Sequence, residues 1–420
     1  MTARAASEAE VREVDVLVVG AGPSGLTAAA ALAREGAQVE VLEREAEPGG
    51  IPRHSQHTGY GLRDLHRVMT GPAYAARLVE QAVAAGARLR TETSVTGWDD
   101  GAPPTALVTA PSGLQQLRAR AVVLATGARE RSRAARWIAG DRPDGVLTTG
   151  QLQQLVHVQG LPVGGTRAVV VGAELVSYSA VMTLASAGVR TVAMTTTWPR
   201  PQAYPSFVAA ARLRWGFPVL GSTRVARILG RGRVQAVEVV HDDGRRARIP
   251  CDTVVLTGDW VPDHELAVLS GAQLDSASLS PVVDTALRTT APGVLAIGNL
   301  VHPVTTADVA ALDGRHVVPA VLDVLAGRAA PAAVPVRAEG LVAWVAPHRV
   351  TPGLTPANDA FVAWGAGERR RPEIHVVQGA RTLHRSRSRW PLVPQRPFRI
   401  PSGWVDLVDP EGDDVAVRVG

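Results

Sequence analysis

Short runs of consecutive apolar residues recur along most of the chain, and each run ends at or just before a glycine or a threonine-glycine pair. Runs of this length are typical of strands that are buried on both faces of a parallel sheet. The longer, mixed segments between them suit helices and crossing loops. The runs lie at residues 16–19, 121–124, 168–171, 253–256 and 294–297.

The first run leads into Gly20-Ala-Gly-Pro-Ser-Gly25 and then into an alanine-rich helix that we predict over residues 26–34. Gly20 permits a tight turn, Gly22 lets the backbone approach a pyrophosphate, and Gly25 lets the helix pack on the strand. The amino end of the helix then faces the phosphates. The next predicted strand delivers Glu43, an acid that can accept hydrogen bonds from a ribose. The unit therefore predicts a dinucleotide-binding site.

A second, related unit starts at the third run, but its turn departs from the dinucleotide pattern. Gly172, Glu174 and Ser177 stand at the three positions that the pattern reserves for glycine. A carboxylate at the middle position meets a pyrophosphate of like charge, at a cost on the order of 1 kcal/mol or more. The strand predicted over residues 191–195 ends in threonines and supplies neither the acid expected for NAD nor a clear arginine cluster for a 2′-phosphate. The sequence therefore argues against a working NAD(P) site here.

The pattern changes in the last quarter of the chain. One helix is predicted from about residue 306 to residue 325. From residue 330 onward, proline-rich spacing and short alternating runs at residues 341–345 and 374–377 predict a small β-rich domain. Four of the nine tryptophans fall in this domain, where we expect them to be core or interface anchors. They are Trp344, Trp364, Trp390 and Trp404.

Length and composition narrow the class of protein. A chain of 420 residues exceeds one ordinary core and indicates two or three domains. No apolar stretch approaches the roughly 18 residues of a membrane helix. The first 14 residues carry charges where a signal peptide has an apolar core. We therefore expect a cytoplasmic protein without membrane contact.

Cysteine, lysine and charge exclude several kinds of chemistry. Cys251 is the single cysteine, which excludes an internal disulfide and a cysteine-rich iron–sulfur site, and it is expected to be a buried apolar residue. Every one of the 44 basic residues is arginine, which excludes Schiff-base chemistry. The formal net charge is +5, and the arginines form no basic stripe with interleaved aromatics, so nucleic-acid binding is disfavoured. No metal site is predicted. The densest group of arginines is expected to be a solvated or partner-facing surface, at positions 369–371, 381, 385, 387 and 389.

Several motifs together resemble a known family. The first glycine turn, Glu43, Pro48-Gly-Gly50, Ala125-Thr-Gly127 and Gly298-Asn299 resemble the FAD-binding elements of two-dinucleotide-domain flavoproteins, the pyridine nucleotide-disulfide oxidoreductase superfamily. This resemblance covers about residues 14–325. Residues 50–54, 60–65, 95–98 and 129–131 are similar to the large flavoprotein subunits of hydrogen cyanide synthase, opine oxidase and hydroxyproline dehydrogenase complexes.

The resemblance implies an α/β fold with two Rossmann-like dinucleotide-binding domains, of the glutathione reductase type. The FAD-binding domain would be discontinuous, at residues 14–130 and 285–328. A degenerate NAD(P)-binding-like domain would be inserted at residues 150–284, and the small β-rich domain would follow at residues 335–420. The disulfide reductases of the superfamily pass electrons through paired cysteines, so the single cysteine excludes that activity.

The resemblance also implies the FAD-binding residues. The glycines of the first turn would face the pyrophosphate, Glu43 the adenosine ribose, and Val95 the adenine through its backbone. Asn299 stands where the family usually has an aspartate; it keeps hydrogen-bonding capacity without the charge, and we expect FAD binding to survive. The predicted set is Gly20, Gly22, Pro23, Ser24, Gly25, Glu43, Arg44, Gly50, Arg53, Val95, Thr126, Gly127, Gly298 and Asn299.

Histidines near the predicted flavin are the candidates for proton transfer, because imidazole titrates near neutral pH. His54 and His57 follow the Pro-Gly-Gly turn, and His302 follows the Gly-Asn turn. The alternative for each is a loop histidine that is solvated or caps a backbone group. Arg53 is expected either to clamp a substrate carboxylate or to meet an FAD phosphate.

These features predict an FAD-dependent oxidoreductase that acts on C–N bonds. It would belong to a hetero-oligomeric amino-acid, amine or opine dehydrogenase and would pass electrons between flavin and a partner redox chain. The expected partners are an iron–sulfur protein and a second flavoprotein subunit, with a small amine or amino-acid substrate oxidised in the complex. Two alternatives are a free-standing NAD(P)H-dependent flavoprotein reductase or oxygenase, and a non-catalytic scaffold that keeps the flavin fold.

Overall fold

The computed structural model describes residues 11–99, 105–303 and 305–420. The first ten residues, part of the segment used above to argue against a signal peptide, lie outside these ranges. The first unit is built on a seven-stranded sheet whose parallel strands place three of the apolar runs side by side, at residues 16–19, 121–124 and 294–297. Its parallel strands are Arg88–Arg90, Val39–Leu42, Val11–Val19, Gly113–Leu124 and Val294–Ala296, and its antiparallel strands are Thr105–Ala110 and Ser94–Asp99.

Helices cover this sheet and supply the rest of its core. They are Pro23–Arg34, Gly71–Ala84, Glu265–Leu269, Ala307–His316 and Val318–Leu325. The prediction of one helix from about residue 306 to 325 is therefore wrong in one respect, because the segment is two helices that separate at Val317. Pro319 lies in the first turn of the second helix, where its missing N–H is tolerated, whereas in the interior of one long helix it would break the hydrogen-bond ladder.

The second unit repeats the arrangement with a five-stranded parallel sheet. Its strands are Val146–Thr148, Thr253–Leu256, Arg167–Val171, Arg190–Thr195 and Val219–Leu220, and its helices are Thr149–Gln153, Leu175–Ser186 and Pro205–Trp215. A second sheet lies beside it, with strands Ala139–Gly140, Thr223–Leu229, Ala236–His241 and Arg246–Pro250. A pair of antiparallel strands, Ala128–Glu130 and Trp260–Pro262, runs between the two units. Cys251 is buried here, and burial raises the pKa of its thiol to about 11.

The C-terminal part is all β apart from short turns. One sheet holds strands Arg349–Val350, Val334–Gly340, Val415–Val419, Glu373–Gln378 and Arg381–Arg387, and another holds Val342–Ala346, Ala360–Gly365 and Pro397–Pro401. Trp404 is fully buried and stacks on Phe361 at 4.8 Å. Trp344 stacks on Trp364 at 5.7 Å and packs against the core of the first unit.

Three of the four tryptophans therefore serve packing, and Trp390 stays 73% exposed. The small remaining sheet pairs Thr58–Tyr60 with Met69–Thr70. The predicted fold class, α/β with two parallel-sheet units followed by a β-rich part, is confirmed. Among the described residues, no helix is both long and apolar enough to cross a membrane.

Candidate dinucleotide-binding sites

The first glycine turn, residues 20–25, leaves open space at one position only. A Cβ on Gly20 would lie 2.6 Å from the Ala125 carbonyl oxygen, and Gly20 has a φ of 103° that favours glycine. A Cβ on Gly25 would lie 2.0 Å from the Gly20 carbonyl oxygen. A Cβ on Gly22 would have nothing within 4 Å, although Gly22 stands at the amino end of the helix Pro23–Arg34. Two glycines thus serve packing, and the third leaves room where a helix end attracts anions.

Glu43 follows the strand Val39–Leu42 and turns its carboxylate toward the first glycine turn. Its Oε2 accepts a hydrogen bond of 2.9 Å from the Ala21 N–H, and its Oε1 accepts one of 2.9 Å from the Glu45 N–H. Each carboxylate oxygen has a second lone pair, so these bonds orient the acid and leave acceptor capacity for ribose hydroxyls.

The residues predicted to line the other side of the nucleotide differ in whether neighbouring groups already contact them. Gly127 has a φ of 77° and no atom within 4 Å of a Cβ built on it. The Thr126 hydroxyl donates to the Asp263 carbonyl at 2.7 Å, and Arg44 lies 3.8 Å from the Asp263 carboxylate. Both side chains are therefore engaged by the segment that returns from the second unit. Val95 lies half-buried in the strand Ser94–Asp99.

The Gly298-Asn299 turn packs directly on the first glycine turn. A Cβ on Gly298 would lie 2.5 Å from Ser24 Oγ, so Ser24 is buried against this glycine. Asn299 Oδ1 accepts hydrogen bonds from the backbone N–H of Thr305 at 3.1 Å and from its hydroxyl at 2.8 Å. Asn299 Nδ2 donates to the Thr305 carbonyl at 3.2 Å. An ionised aspartate has no donor for this last bond, which explains why asparagine suits this loop.

The loop after Glu43 holds Arg53 and His54 in different ways. Arg53 donates to the Glu45 carboxylate at 2.8 Å, to the Glu47 carbonyl at 2.8 Å and to the Glu47 carboxylate at 3.1 Å. Gly50 precedes them, and a Cβ on it would lie 2.9 Å from Gly22 Cα. The Arg53 guanidinium, which we predicted to bind an FAD phosphate or a substrate carboxylate, is thus held by Glu45 and Glu47 of its own loop.

His54 is 3% exposed and lies on the 3₁₀ turn Ile51–His54. Its Nε2 is 3.6 Å from Glu45 Oε2, and neither ring nitrogen has a hydrogen-bond partner among the described residues. His54, and then Arg53, hold the pKa of Glu45 at about 2, against the effect of burial. Glu45 is therefore ionised beside a buried imidazole whose Nε2 faces the carboxylate and whose Nδ1 has no partner among the described residues.

His57 and His302 are more constrained than His54. His57 Nδ1 lies 2.9 Å from the Thr58 carbonyl oxygen, and its ring stacks on Tyr60 at 5.5 Å. His302 is buried, with Nδ1 at 2.9 Å from the Thr305 hydroxyl and Nε2 at 2.7 Å from Asp313. Burial opposes a charge on His302, but the Asp313 carboxylate outweighs burial and raises its pKa. These contacts favour a structural role for His302 in the loop after Gly298.

The second glycine turn, residues 172–177, is filled by its own side chain. A Cβ on Gly172 would lie 2.9 Å from both carboxyl oxygens of Glu174, and one on Gly258 would lie 2.5 Å from Glu174 Oε1. Glu174 is 3% exposed, and its Oε2 accepts a bond of 3.0 Å from the Ala173 N–H. Ser177 Oγ lies 2.6 Å from the Thr257 hydroxyl. The two glycines make room for the Glu174 carboxyl, in the place that Gly22 leaves open in the first turn.

A second buried carboxyl, Glu130, lies close enough to Glu174 to interact with it electrostatically. Glu130 accepts a hydrogen bond of 2.9 Å from the Gly150 N–H at the start of a helix. Burial raises the pKa of Glu130 to about 6 and also raises the pKa of Glu174. Arg136 donates to the carbonyl oxygens of Thr257 at 2.9 Å and of Gly258 at 2.7 Å.

The sequence reasoning missed the contacts that Glu45 and Glu130 make. Glu45 was detectable as an acid two positions after Glu43, and Glu130 lies inside the 129–131 motif that carried part of the resemblance. Neither residue carries a local signal for these contacts. Those of Glu45 depend on how its own loop folds back through Arg53 and His54, and those of Glu130 depend on Gly150 and Glu174 from more distant segments.

One open glycine turn with an acid beside it, in a fold of two parallel-sheet units, defines the class of dinucleotide-binding flavoproteins. The chain belongs to the pyridine nucleotide-disulphide oxidoreductase family, whose sequence profile matches residues 14–314. It is an FAD-binding oxidoreductase of that family.

Three relatives by sequence show the range of the family. An opine oxidase subunit from Agrobacterium tumefaciens (strain Ach5) is 28% identical over 314 residues, which is 68% of this chain and 61% of the relative. The alpha subunit of sarcosine oxidase from Rhizobium meliloti (strain 1021) is 29% identical over 62% of this chain and 26% of the relative. The chain thus spans less than two thirds of either relative. A ferredoxin–NADP reductase from Salinispora arenicola (strain CNS-205) is 30% identical over 69% of this chain and 87% of the relative.

Solved structures support the fold. Thioredoxin reductase from T. acidophilum superposes with a TM-score of 0.64 at 21% identity, over 75% of this chain and 99% of that chain. L-proline dehydrogenase from P. horikoshii superposes with a TM-score of 0.56 at 21% identity, over 77% of this chain and 58% of that chain.

Proposed function

We propose that this chain is the FAD-carrying subunit of a hetero-oligomeric dehydrogenase that oxidises a C–N bond of an amine, amino-acid or opine substrate. Electrons would leave through a partner redox chain. One observation carries the proposal: the glycine turn at Gly22 is open, whereas the turn at Gly172 is filled by Glu174. The names of the opine oxidase and sarcosine oxidase relatives support the choice of substrate class and the presence of partners.

The residues of the first site fit FAD. The open space at Gly22, the helix end at Pro23 and the oriented Glu43 carboxylate would hold the pyrophosphate and the adenosine ribose. Gly50 and Gly127 would line the same cleft. When bound, FAD supplies the two-electron oxidation, and the protein supplies orientation and proton handling.

We assign proton transfer to His54. Its ring nitrogens are buried without hydrogen-bond partners, on the loop that contacts the first glycine turn through Gly50. The ionised Glu45 carboxylate at 3.6 Å would stabilise the imidazolium that forms when His54 accepts a proton. Arg53 would position Glu45, since its guanidinium bonds the same carboxylate.

The filled second turn argues against NAD(P)H as the electron donor. A pyrophosphate would have to displace the Glu174 carboxyl from the space between Gly172 and Gly258. No acid follows the strand Arg190–Thr195 to hold an adenosine ribose. We therefore assign electron delivery to the amine substrate and not to NAD(P)H.

Anaerobic reduction of the FAD-loaded chain tests the proposal. The protein is mixed with sarcosine or an opine, alone and with its co-purified partners, and separately with NADH or NADPH, while the flavin absorbance is followed. We expect bleaching by an amine substrate in the presence of the partners and none by nicotinamide. Rapid bleaching by micromolar NADPH would contradict the proposal.

The second candidate is a free-standing NAD(P)H-dependent flavoprotein reductase. One observation favours it: the ferredoxin–NADP reductase relative is covered over 87% of its length, more than either of the oxidase relatives. The same mixing experiment separates the two, because that function requires NADPH alone to reduce the flavin.

A further inference from the structure

The second unit and the C-terminal part meet at a surface rich in arginine. Arg200 Nη1 lies 3.9 Å from Glu368 Oε1. The guanidinium carbon of Arg396 lies 4.8 Å from the ring centroid of Tyr204. These contacts join the loop before the helix Pro205–Trp215 to two loops of the C-terminal part. The surface, called the arginine patch below, is formed by residues 199–204, 366–372 and 388–396.

A short antiparallel bridge holds the two C-terminal loops of the patch side by side. Arg369 and Leu392 exchange backbone hydrogen bonds of 3.0 and 2.9 Å, and the Leu392 side chain is buried. Arg371 has a φ of 50°, a left-handed conformation that costs a residue with a Cβ free energy and that surrounding contacts must hold. Trp390, in the same loop as Leu392, is 73% exposed. The arginines and Trp390 are thus presented on a constrained scaffold.

The patch contains most of the net charge of the chain. Its three segments hold six arginines and one acid, Glu368, whereas the whole chain has a formal net charge of +5. The remaining chain is therefore close to neutral. Glu368 already contacts Arg200, and within the described ranges no ion pair reaches Arg369, Arg370 or Arg371. The neighbouring Arg385 and Arg387 differ, because both pair with Glu373.

The patch also contains a shallow, open depression lined by Pro199, Arg200, Glu368, Arg369 and Arg370. Exposed tryptophan and arginine are the side chains most enriched among strong contacts in protein interfaces. This composition, with Trp390 exposed beside the arginines, favours a protein partner.

We propose that the arginine patch binds an acidic segment of a partner protein. Carboxylates of the segment would pair with Arg369 and Arg370, and an apolar side chain would cover Trp390. The proposal rests on the proposed function in one respect only, that the chain works with a partner. It adds where the partner contacts this chain and which chemical groups of the partner the patch recognises.

Fluorescence anisotropy with the FAD-loaded full chain tests the patch. The probe is a labelled peptide of about twelve residues, made of Asp-Glu-Leu repeats, at about 0.15 M salt, where weak surface charge effects are screened. We expect micromolar binding, weakened about tenfold or more by Arg369→Ser with Arg370→Ser and also weakened by Trp390→Ser. The matched control is Arg224→Ser with Arg227→Ser, which removes two exposed arginines from the strand Thr223–Leu229 and should leave binding within about twofold.

Three outcomes would overturn the proposal. One is no binding up to about 1 mM peptide, and another is equal weakening by the patch and control variants. The third is tighter binding of duplex DNA or phosphatidylglycerol vesicles that depends on Arg369 and Arg370. Flavin reduction by an amine in the presence of the partners is measured separately on the unaltered chain. Absence of that reduction would contradict the proposed function, whereas absence of peptide binding would contradict only the assignment of the patch.

Discussion

Gly22 and Glu174 occupy equivalent positions in two glycine turns, and the difference between them is one side chain. At Gly22 the missing Cβ leaves space beside a helix end. At Glu174 the side chain folds back between Gly172 and Gly258 and fills the corresponding space. The cost of burying this carboxyl is reduced by protonation, since burial raises its pKa.

Gly22→Val tests the open position. The branched side chain would occupy the space assigned to the pyrophosphate, while the extended backbone of Gly22 accepts a residue with a Cβ. We expect FAD affinity to fall at least about tenfold, or about 1.4 kcal/mol, with little loss of stability. FAD content and flavin fluorescence titration measure this. Gly403→Val is the control, because a Cβ on Gly403 also has nothing within 4 Å; equal FAD loss in both variants would contradict the assignment.

Glu174→Gly with Ser177→Gly tests the filled position. Removing the carboxyl restores the glycine pattern and exposes the amino end of the helix Leu175–Ser186. We expect binding of NADH or NADPH to tighten by about tenfold or more relative to the unaltered chain, as measured by fluorescence titration. Glu174→Gln keeps the turn filled and should not increase the affinity for NADH or NADPH. A gain in the glutamine variant would show that charge, and not filled space, closes the turn.

His54→Asn tests proton transfer. The substitution keeps the size of a polar side chain but cannot take up a proton near neutral pH, so substrate-driven flavin reduction should slow by about 100-fold or more with FAD content unchanged. Stopped-flow absorbance measures the rate. His57→Asn, on the exposed side of the same loop, should change the rate by less than about threefold. The reverse order would assign proton transfer to His57.

At the scale of elements, the strand pair between the two units carries a titratable group. Glu130 ends the strand Ala128–Glu130 and accepts a hydrogen bond at the start of the helix Thr149–Gln153. Arg136 holds the carbonyl oxygens after the strand Thr253–Leu256. Protonation of Glu130 is thus linked to how the second unit is anchored on the strand pair.

Glu130→Gln should change the pH dependence of stability. Burial raises the pKa of Glu130 from 4.5 to about 6, so the folded state holds the proton more tightly than the unfolded state. The stabilisation is complete below about pH 4.5 and is lost as pH rises through 6, a fall of about 2 kcal/mol in the free energy of unfolding. Urea unfolding at pH 4.5 and pH 7 should show this fall in the unaltered chain and a smaller fall in the glutamine variant. The same fall in both would exclude Glu130 as its source.

At the scale of the whole molecule, the C-terminal part is fastened to the first unit through an aromatic pair. Trp344 stacks on Trp364 with an angle of 5° between the ring planes, and Trp344 belongs to the core that includes the seven-stranded sheet of the first unit. The same part has its own core around Trp404. The arginine patch lies where this part meets the second unit, so the C-terminal part contacts both of the other units.

Trp344→Ala should destabilise the protein by about 3–5 kcal/mol, because it leaves a large cavity between two packed parts. Trp390→Ala is the matched control and should change the free energy of unfolding by no more than about 0.5 kcal/mol, since its ring is exposed. Denaturant unfolding measures both. A similar loss in the two variants would mean that Trp390 packs in solution.

The sequence by itself determined the order of the two strand–turn–helix units, the two glycine turns and the position of Glu43, because these depend on local sterics and on the period of apolar residues. It also indicated that Glu174 disturbs the second turn. Only the tertiary structure decided that Gly258 makes room for Glu174, that Glu45 and Glu47 hold Arg53, and that Asp313 holds His302. The sequence did not specify these partners because burial and hydrogen bonding depend on how loops fold back and on which segments meet, and a linear pattern of residue types does not fix either. The arginine patch is the same case, since three separate segments become one charged surface only when the chain is folded.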